Sequence, residues 1–221
     1  NGATTSTANN LRTFGGTLEI GGTLTISGQN VWLSGSGGLL HVTPTGSIVH
    51  TSTFPSTIPW PLDNDGTIRA TASTLNLTGT SSATSTGQLG GGPGTGEALV
   101  AGGQLTAGAG FRLARGGGVS GGTLTVNGAG VAPAAPDQGA AILSSGTIDG
   151  SGSLPLSGLA WSGGDLGGSV AVTVTGAATI TDSNGRDLNG TSTLRLNGAT
   201  TSTANNLRTF GGTLEIGGTL T

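Results

Sequence analysis

The chain has 221 residues and a formal net charge of −3, and only 8% of its residues are charged. Cysteine is absent, which excludes a disulfide framework and a thiolate metal site. No basic stripe is present to neutralise phosphates, so we expect no nucleic-acid partner. No apolar run approaches the roughly 18 residues of a membrane span, so we expect no membrane insertion. A hydrophobic fraction of 33% with little net charge argues against disorder, although 46 residues are glycine.

The first 25 residues, NGATTSTANNLRTFGGTLEIGGTLT, recur without a change at the other end of the sequence, as residues 197–221. We predict that residues 1–196 are one complete tandem unit and that residues 197–221 begin the next one. A constructed duplication that completes a terminal layer is the alternative. The chain has no signal peptide and no initiator methionine, so we expect it to be a piece of a longer, exported protein.

Short segments of the type Thr-Leu-x-aliphatic recur along the unit, bounded by Gly, Ser or Asn. Side chains of a strand alternate between its faces, so the Leu and the aliphatic residue two positions later share an inward face. Gly-rich pairs between the segments supply tight corners. They also interrupt every stretch in which apolar residues could follow a helical spacing, so no helix is predicted. In chain order the predicted strands include residues 17–20, 23–26, 31–33, 39–42, 67–70, 74–77, 104–107, 123–126, 153–156, 172–175 and 193–196.

The spacing of these segments favours a parallel β-solenoid over an antiparallel sandwich. Leu154, Val174, Leu194 and Leu214 follow one another at intervals of 20 residues, which suits one turn of a coil. At about 21 residues a coil, the unit holds roughly nine coils and extends about 45 Å. Two stretches, 57–65 and 133–139, are predicted as loops pushed out of the coil.

Several stretches resemble large bacterial surface proteins: GGTLTISG (21–28), DNDGTIRATASTLNLTG (63–79) and FRLARGGGVSGGTLTVNGAGV (111–131). The similar families are autotransporter-type and filamentous-haemagglutinin-like β-helix repeats, together with giant adhesin-like exoproteins. The resemblance implies a right-handed β-helix that is secreted to the cell surface. It also implies a role as a fibre, stalk, filament or adhesin, and it offers no catalytic residue to transfer.

The prediction of function follows from the repeat. We expect a structural, non-enzymatic protein whose partner is itself, through end-to-end continuation of identical units and lateral bundling. Leu18 and Ile20 in the first copy, and Leu214 and Ile216 in the second, are the predicted strands of continuation. An adhesin shaft with a glycan- or surface-binding loop near residues 53–65 is the alternative.

Aromatic residues in that loop supply the predicted contact with a glycan or another partner. Trp60 and Phe54 are its candidates, because an exposed aromatic ring stacks on sugars. The competing interpretation is that the loop folds back and buries Trp60.

A carbohydrate-active β-helix enzyme is the third interpretation, and it needs carboxylates that cluster across adjacent coils. The candidates are Asp63, Asp65, Asp149 and Asp182, but Asp63–Gly66 also suits a simple turn. His41 and His50 lack an evident third ligand and are expected at outward strand positions. We therefore predict no catalytic residue, no metal site and no cofactor.

Overall fold

The computed structural model describes residues 4–6, 10–12, 15–28, 32–34, 38–181, 186–204 and 206–221, with the backbone alone for 4–6, 10–12 and 32–34. These residues form strands and no helix, so none of their elements is a helix that could cross a membrane. The strands are β1 (Thr4–Ser6), β2 (Asn10–Arg12), β3 (Gly16–Ile20), β4 (Thr23–Ile26), β5 (Trp32–Ser34), β6 (Gly38–Val42), β7 (Ser47–His50), β8 (Ser56–Ile58), β9 (Leu62–Asn64), β10 (Thr67–Ala70), β11 (Thr74–Leu77), β12 (Thr80–Ser85), β13 (Gln88–Leu89), β14 (Glu97–Val100), β15 (Gln104–Ala107), β16 (Arg112–Leu113), β17 (Gly117–Val126), β18 (Ala140–Gly150), β19 (Ser153–Leu156), β20 (Gly158–Trp161), β21 (Asp165–Leu166), β22 (Ala171–Val174), β23 (Ala178–Ile180), β24 (Arg186–Asn189), β25 (Thr193–Leu196), β26 (Thr200–Ser202), β27 (Leu207–Phe210) and β28 (Thr213–Ile216).

The strands stack in parallel on three faces, which the chain visits in a fixed order. Face I holds β1, β4, β7, β10, β13, β16, β19, β22, β25 and β28, with residues 129–131 between β16 and β19. Face II holds β2, β5, β8, β11, β14, the first half of β17, the first half of β18, β20, β23 and β26. Face III holds β3, β6, β9, β12, β15, the second halves of β17 and β18, β21, β24 and β27. The predicted all-β solenoid of about nine coils is confirmed.

Inward side chains form continuous apolar ladders through the coils. On face I, Leu24, Ile48 and Ile68 pair in register, and all three are buried. On face III, Leu105, Leu124 and Ile148 do the same. Between the two ends of the stack, each inward residue is covered by the coils before and after it, so the solenoid has an apolar core without a second layer of structure. The right-handed sense of the coil stays a prediction, in keeping with the hand of about 98% of parallel β crossovers.

Glycine closes the corners where neighbouring coils come too close for a side chain. Gly190 and Gly211 lie one above the other between faces III and I, with φ of 65° and 91°. A Cβ on Gly211 would lie 2.5 Å from the carbonyl oxygen of Gly190. The corner therefore requires both a positive φ and the absence of a side chain. Stacked corners of this kind account for much of the glycine content.

Two details differ from the sequence-based expectations. Leu154 pairs with Val172 and not with Val174, so the coils contain 18, 22 and 20 residues where a uniform 20 was expected. Residues 57–65 are not an expelled loop, because β8 and β9 occupy most of them and residues 59–61 make an ordinary corner. Coil length varies because corners absorb extra residues without moving the ladders. Residues 133–139 do form a loop, as expected.

Candidate functional site

The two copies of the 25-residue segment form corresponding strands, and the first of these pairs in the same register in both copies. Thr4 pairs with Leu24 in the first copy, and Thr200 pairs with Leu220 in the second. The strand at 200–202 in the second copy has the same limits, shifted by one unit, as the strand at 4–6 in the first. The sequence of the segment therefore directs the same pairing at both places in the solenoid.

The second copy is joined to the preceding coils by backbone and side-chain contacts. The amide nitrogen of Thr203 donates to the carbonyl oxygen of Ile180 at 2.9 Å, and that of Gly217 donates to Leu196 at 2.8 Å. Two ion pairs lie on the outside of the same junction. The Arg195 Nη2–Glu215 Oε2 distance is 2.6 Å, and the Arg208 Nε–Asp187 Oδ1 distance is 2.7 Å.

The predicted continuation residues lie at the two uncovered ends of the ladders. Leu18, Ile20 and Leu214 pack against the core but stay partly exposed, and Ile216 is 41% exposed. Their neighbours one coil inward are fully buried, as Leu194 shows with no exposed surface. Both ends thus present apolar side chains with only one covering coil.

Trp60 and Phe54, the predicted glycan contacts, have opposite environments. The Trp60 side chain is 2% exposed and belongs to the apolar core, so its ring has no free face for a sugar. The corner between β8 and β9 folds inward and buries Trp60, as the competing interpretation of this loop expects. Phe54 is 42% exposed and remains accessible to a partner.

His41 lies in an outward row of titratable side chains on face III. Glu19, His41 and Asp63 pair in register on three successive coils. Nδ1 of His41 lies 3.9 Å from Glu19, and Nε2 lies 3.6 Å from Asp65. Thr86 fixes Asp65 from the next coil, because its backbone amide and its hydroxyl both donate to Oδ1.

The ligand atoms of His41, Asp63 and Asp65 lie within 4.8 Å of one another, a spacing that a divalent cation could bridge. Burial raises the pKa of the Asp63 carboxyl, the charge of Asp65 raises it further, and His41 acts in the opposite direction. Sequence reasoning found no third ligand for His41, yet the fold brings two carboxylates to it. The available signal was the 22-residue offset between His41 and Asp63, about one coil.

A polar groove of about 270 Å³ lies on face I beneath the loop at 133–139. Ser47, Thr67 and Gln88 form its floor in one register row, and Arg69 lies beside them. Asp137 folds back from the loop and accepts a hydrogen bond from Gln88 Nε2 at 2.9 Å. Hydroxyl, amide, guanidinium and carboxylate groups in one groove are chemically suited to a sugar's hydroxyls.

The other candidate residues do not join these groups. Asp149 lies on β18, four coils from β9 along face III, which corresponds to about 19 Å. Asp182 lies outside the described residues. His50 was expected to face outward, but it is fully buried and its Nε2 lies 3.0 Å from Ser56 Oγ. Burial lowers the pKa of His50.

Comparisons of the chain with protein-family models, with curated proteins and with solved structures return no match, so function must be argued from the fold and its residues.

Proposed function

We propose that this chain is part of a structural protein in which identical β-solenoid units follow one another in a fibre, stalk or filament outside the cell. The observation that carries the proposal is the second copy of the 25-residue segment, which continues the strands and ladders of the first unit without a break. A solenoid end is an open sheet edge, and continuation by the next unit removes it.

One glutamate supports this proposal from both sides. Glu19 and Glu215 are the two copies of one position in the repeat. In the second copy, Glu215 pairs with Arg195 of the preceding coil, and in the first copy, Glu19 lies near His41 of the following coil. In a continuous array a single glutamate makes both contacts. In the outward row that would then cross the junction, the glutamate lies between the Arg195 guanidinium and the His41 imidazole, and the opposite charges of arginine and glutamate favour pairing of their strands.

The extracellular location rests on composition and on the resemblance to bacterial surface repeats. Outward rows of Thr and Ser give a neutral, hydrogen-bonding surface, which suits long rods whose stacked rows would otherwise repel. The exposed loop near Gln138 offers an epitope for this part of the proposal. Antibodies against residues 133–139 should label intact cells of the source, and labelling only after permeabilisation would contradict an exterior location.

A second function, glycan adhesion by the shaft, is favoured by the polar groove at Arg69 and Asp137. This groove replaces Trp60 as the predicted glycan contact, while Phe54 stays accessible in the same coil as Ser47. A glycan array probed with the wild-type chain and with Arg69→Ala should show binding that the substitution removes. Equal binding by both proteins would reject this groove as the site.

The array itself is tested with chains that contain one, two or three copies of residues 1–196 before the closing 25-residue copy. Electron micrographs and small-angle scattering should show rods of constant width whose length grows by about 45 Å for each added unit. Compact particles, or a length that does not grow in this way, would overturn the proposed function.

A further inference from the structure

The two copies of the 25-residue segment lie on different faces of the solenoid. Strand β1 is on face I, where it pairs with β4, while its duplicate β26 is on face II, where it pairs with β23. In the same way, β27 pairs with β24 on face III, although the equivalent β2 is on face II. Strand β28 pairs with β25 on face I, and the equivalent β3 is on face III. Every strand of the segment has moved one face forward.

The shift follows from the number of faces that the chain crosses in one unit. From β1 onward the chain completes nine circuits of faces I, II and III, the last ending with β24. Strand β25 then occupies face I, and the duplicate of β1 begins only on the next side, face II. One unit therefore spans nine and one-third coils. The unit length agrees, because 196 residues at about 21 residues a coil give the same fraction.

We propose that successive units of the fibre are rotated by one third of a turn about its axis, in the sense of the coil, so that the fibre has a threefold screw. This inference rests on the proposed tandem array. Each unit rises about 45 Å, and three units, about 135 Å, bring a given residue back to the same side.

The structure shows why one sequence can occupy any of the three faces. The duplicated residues keep their inward and outward directions in both places, since Leu18 and Leu214 both pack against the core and Glu19 and Glu215 both face outward. Gly15 and Gly211 keep a positive φ at the equivalent corner, at 79° and 91°. Each face of a coil consists of a short strand and the corner that follows it, and all three faces offer the same parallel strand edge.

The screw determines what the fibre presents to its surroundings. A feature that occurs once in each unit, such as the groove at Arg69 and Asp137, points in three directions along the rod. A fibre with an integral number of coils would present it along one line instead. The screw therefore equips the fibre to contact neighbouring copies of itself, or a surface, from any side.

A disulfide test in the 221-residue chain examines the shift within one molecule. Thr179 and Thr201 pair in register on face II and both are exposed, and the chain contains no cysteine. Thr179→Cys with Thr201→Cys should cross-link rapidly on mild oxidation, because stacked strands place the two Cα atoms about 4.8 Å apart. Thr173→Cys with Thr201→Cys is the matched control, since Thr173 lies on face I, and it should not cross-link. The reverse result would overturn the face shift.

The fibre is tested with the three-unit chain carrying Gln138→Cys in every unit, labelled with gold and imaged by cryo-electron microscopy. Labels should step one third of a turn around the rod for each unit, so that in a longer array the fourth label eclipses the first and the direction repeats every three units. Labels in a single line on an intact rod would overturn the screw and leave the fibre standing. Particles that form no rod would instead overturn the proposed function.

Discussion

Arg195 and Glu215 face each other in register on neighbouring strands, with 2.6 Å between Nη2 and Oε2, and Glu215 is the second copy of Glu19. The same glutamate sequence position thus has a cationic neighbour at one end of the unit and an imidazole neighbour at the other. Because the side chains of the Arg195–Glu215 pair are 51% and 42% exposed, the contribution of this ion pair depends on ionic strength.

Glu215→Lys should loosen the last strand, because it places two cations in register on adjacent coils. Hydrogen exchange measured by mass spectrometry should show faster exchange of residues 213–216, with a smaller effect at high salt. Glu19→Lys is the matched control, since it makes the same change of charge in the other copy. Equal exchange of residues 213–216 in the two variants would contradict a specific role for the pair.

Leu194→Asp should destabilise the solenoid by about 3–5 kcal/mol, because it leaves an unpaired charge in a fully buried ladder. Urea unfolding measures the loss. Leu214→Asp, one coil further along the same ladder, should cost less because that side chain is only partly buried. A loss at Leu194 no larger than the loss at Leu214 would refute the assignment of Leu194 to the core.

Trp60→Ala should lower the free energy of unfolding by about 3–5 kcal/mol, as expected for truncation of a buried aromatic side chain. Phe54→Ala should change it by less than about 0.5 kcal/mol, since Phe54 is exposed. Thermal and urea unfolding of the two variants provide the comparison. If the stability of Trp60→Ala matched that of Phe54→Ala, the corner at residues 59–61 would not be part of the core.

His50 should make the protein less stable as the pH falls below about 6.5, the ordinary pKa of histidine. Burial lowers the pKa of His50 in the folded state, so below this pH the unfolded chain binds a proton that the folded chain does not. Above it both states are neutral and His50 contributes no pH dependence. Histidine titrates between about pH 5 and pH 8. Urea unfolding measured from about pH 7.5 down to about pH 5 should therefore show a shallower decline in the free energy of unfolding for His50→Gln than for the wild type. Parallel pH profiles would contradict the burial of a neutral His50.

The local sequence pattern predicted the positions of the strands well, but it predicted less well which residues pair between neighbouring coils. The Thr-Leu-x-aliphatic segments became strands with the expected faces, as β10 and β25 show, because alternation is a property of consecutive residues. The pairing of Leu154 with Val172 was missed because corners of unequal length shift the register without disturbing the alternation. The groove beneath Asp137 was missed because its loop crosses two coils to reach Gln88.

The amino-acid sequence alone determined that the chain is an all-β solenoid with a duplicated 25-residue segment, because strand alternation, glycine corners and the duplication are all visible along the chain. Only the tertiary structure decided which side of the solenoid each segment occupies. The face that a segment occupies depends on how many strands and corners the chain forms between Thr4 and Thr200. The extra face beyond nine complete coils is therefore not visible in any local stretch of the sequence. The burial of Trp60 and the meeting of His41 with Asp65 have the same origin, since both are set by neighbours about one coil away.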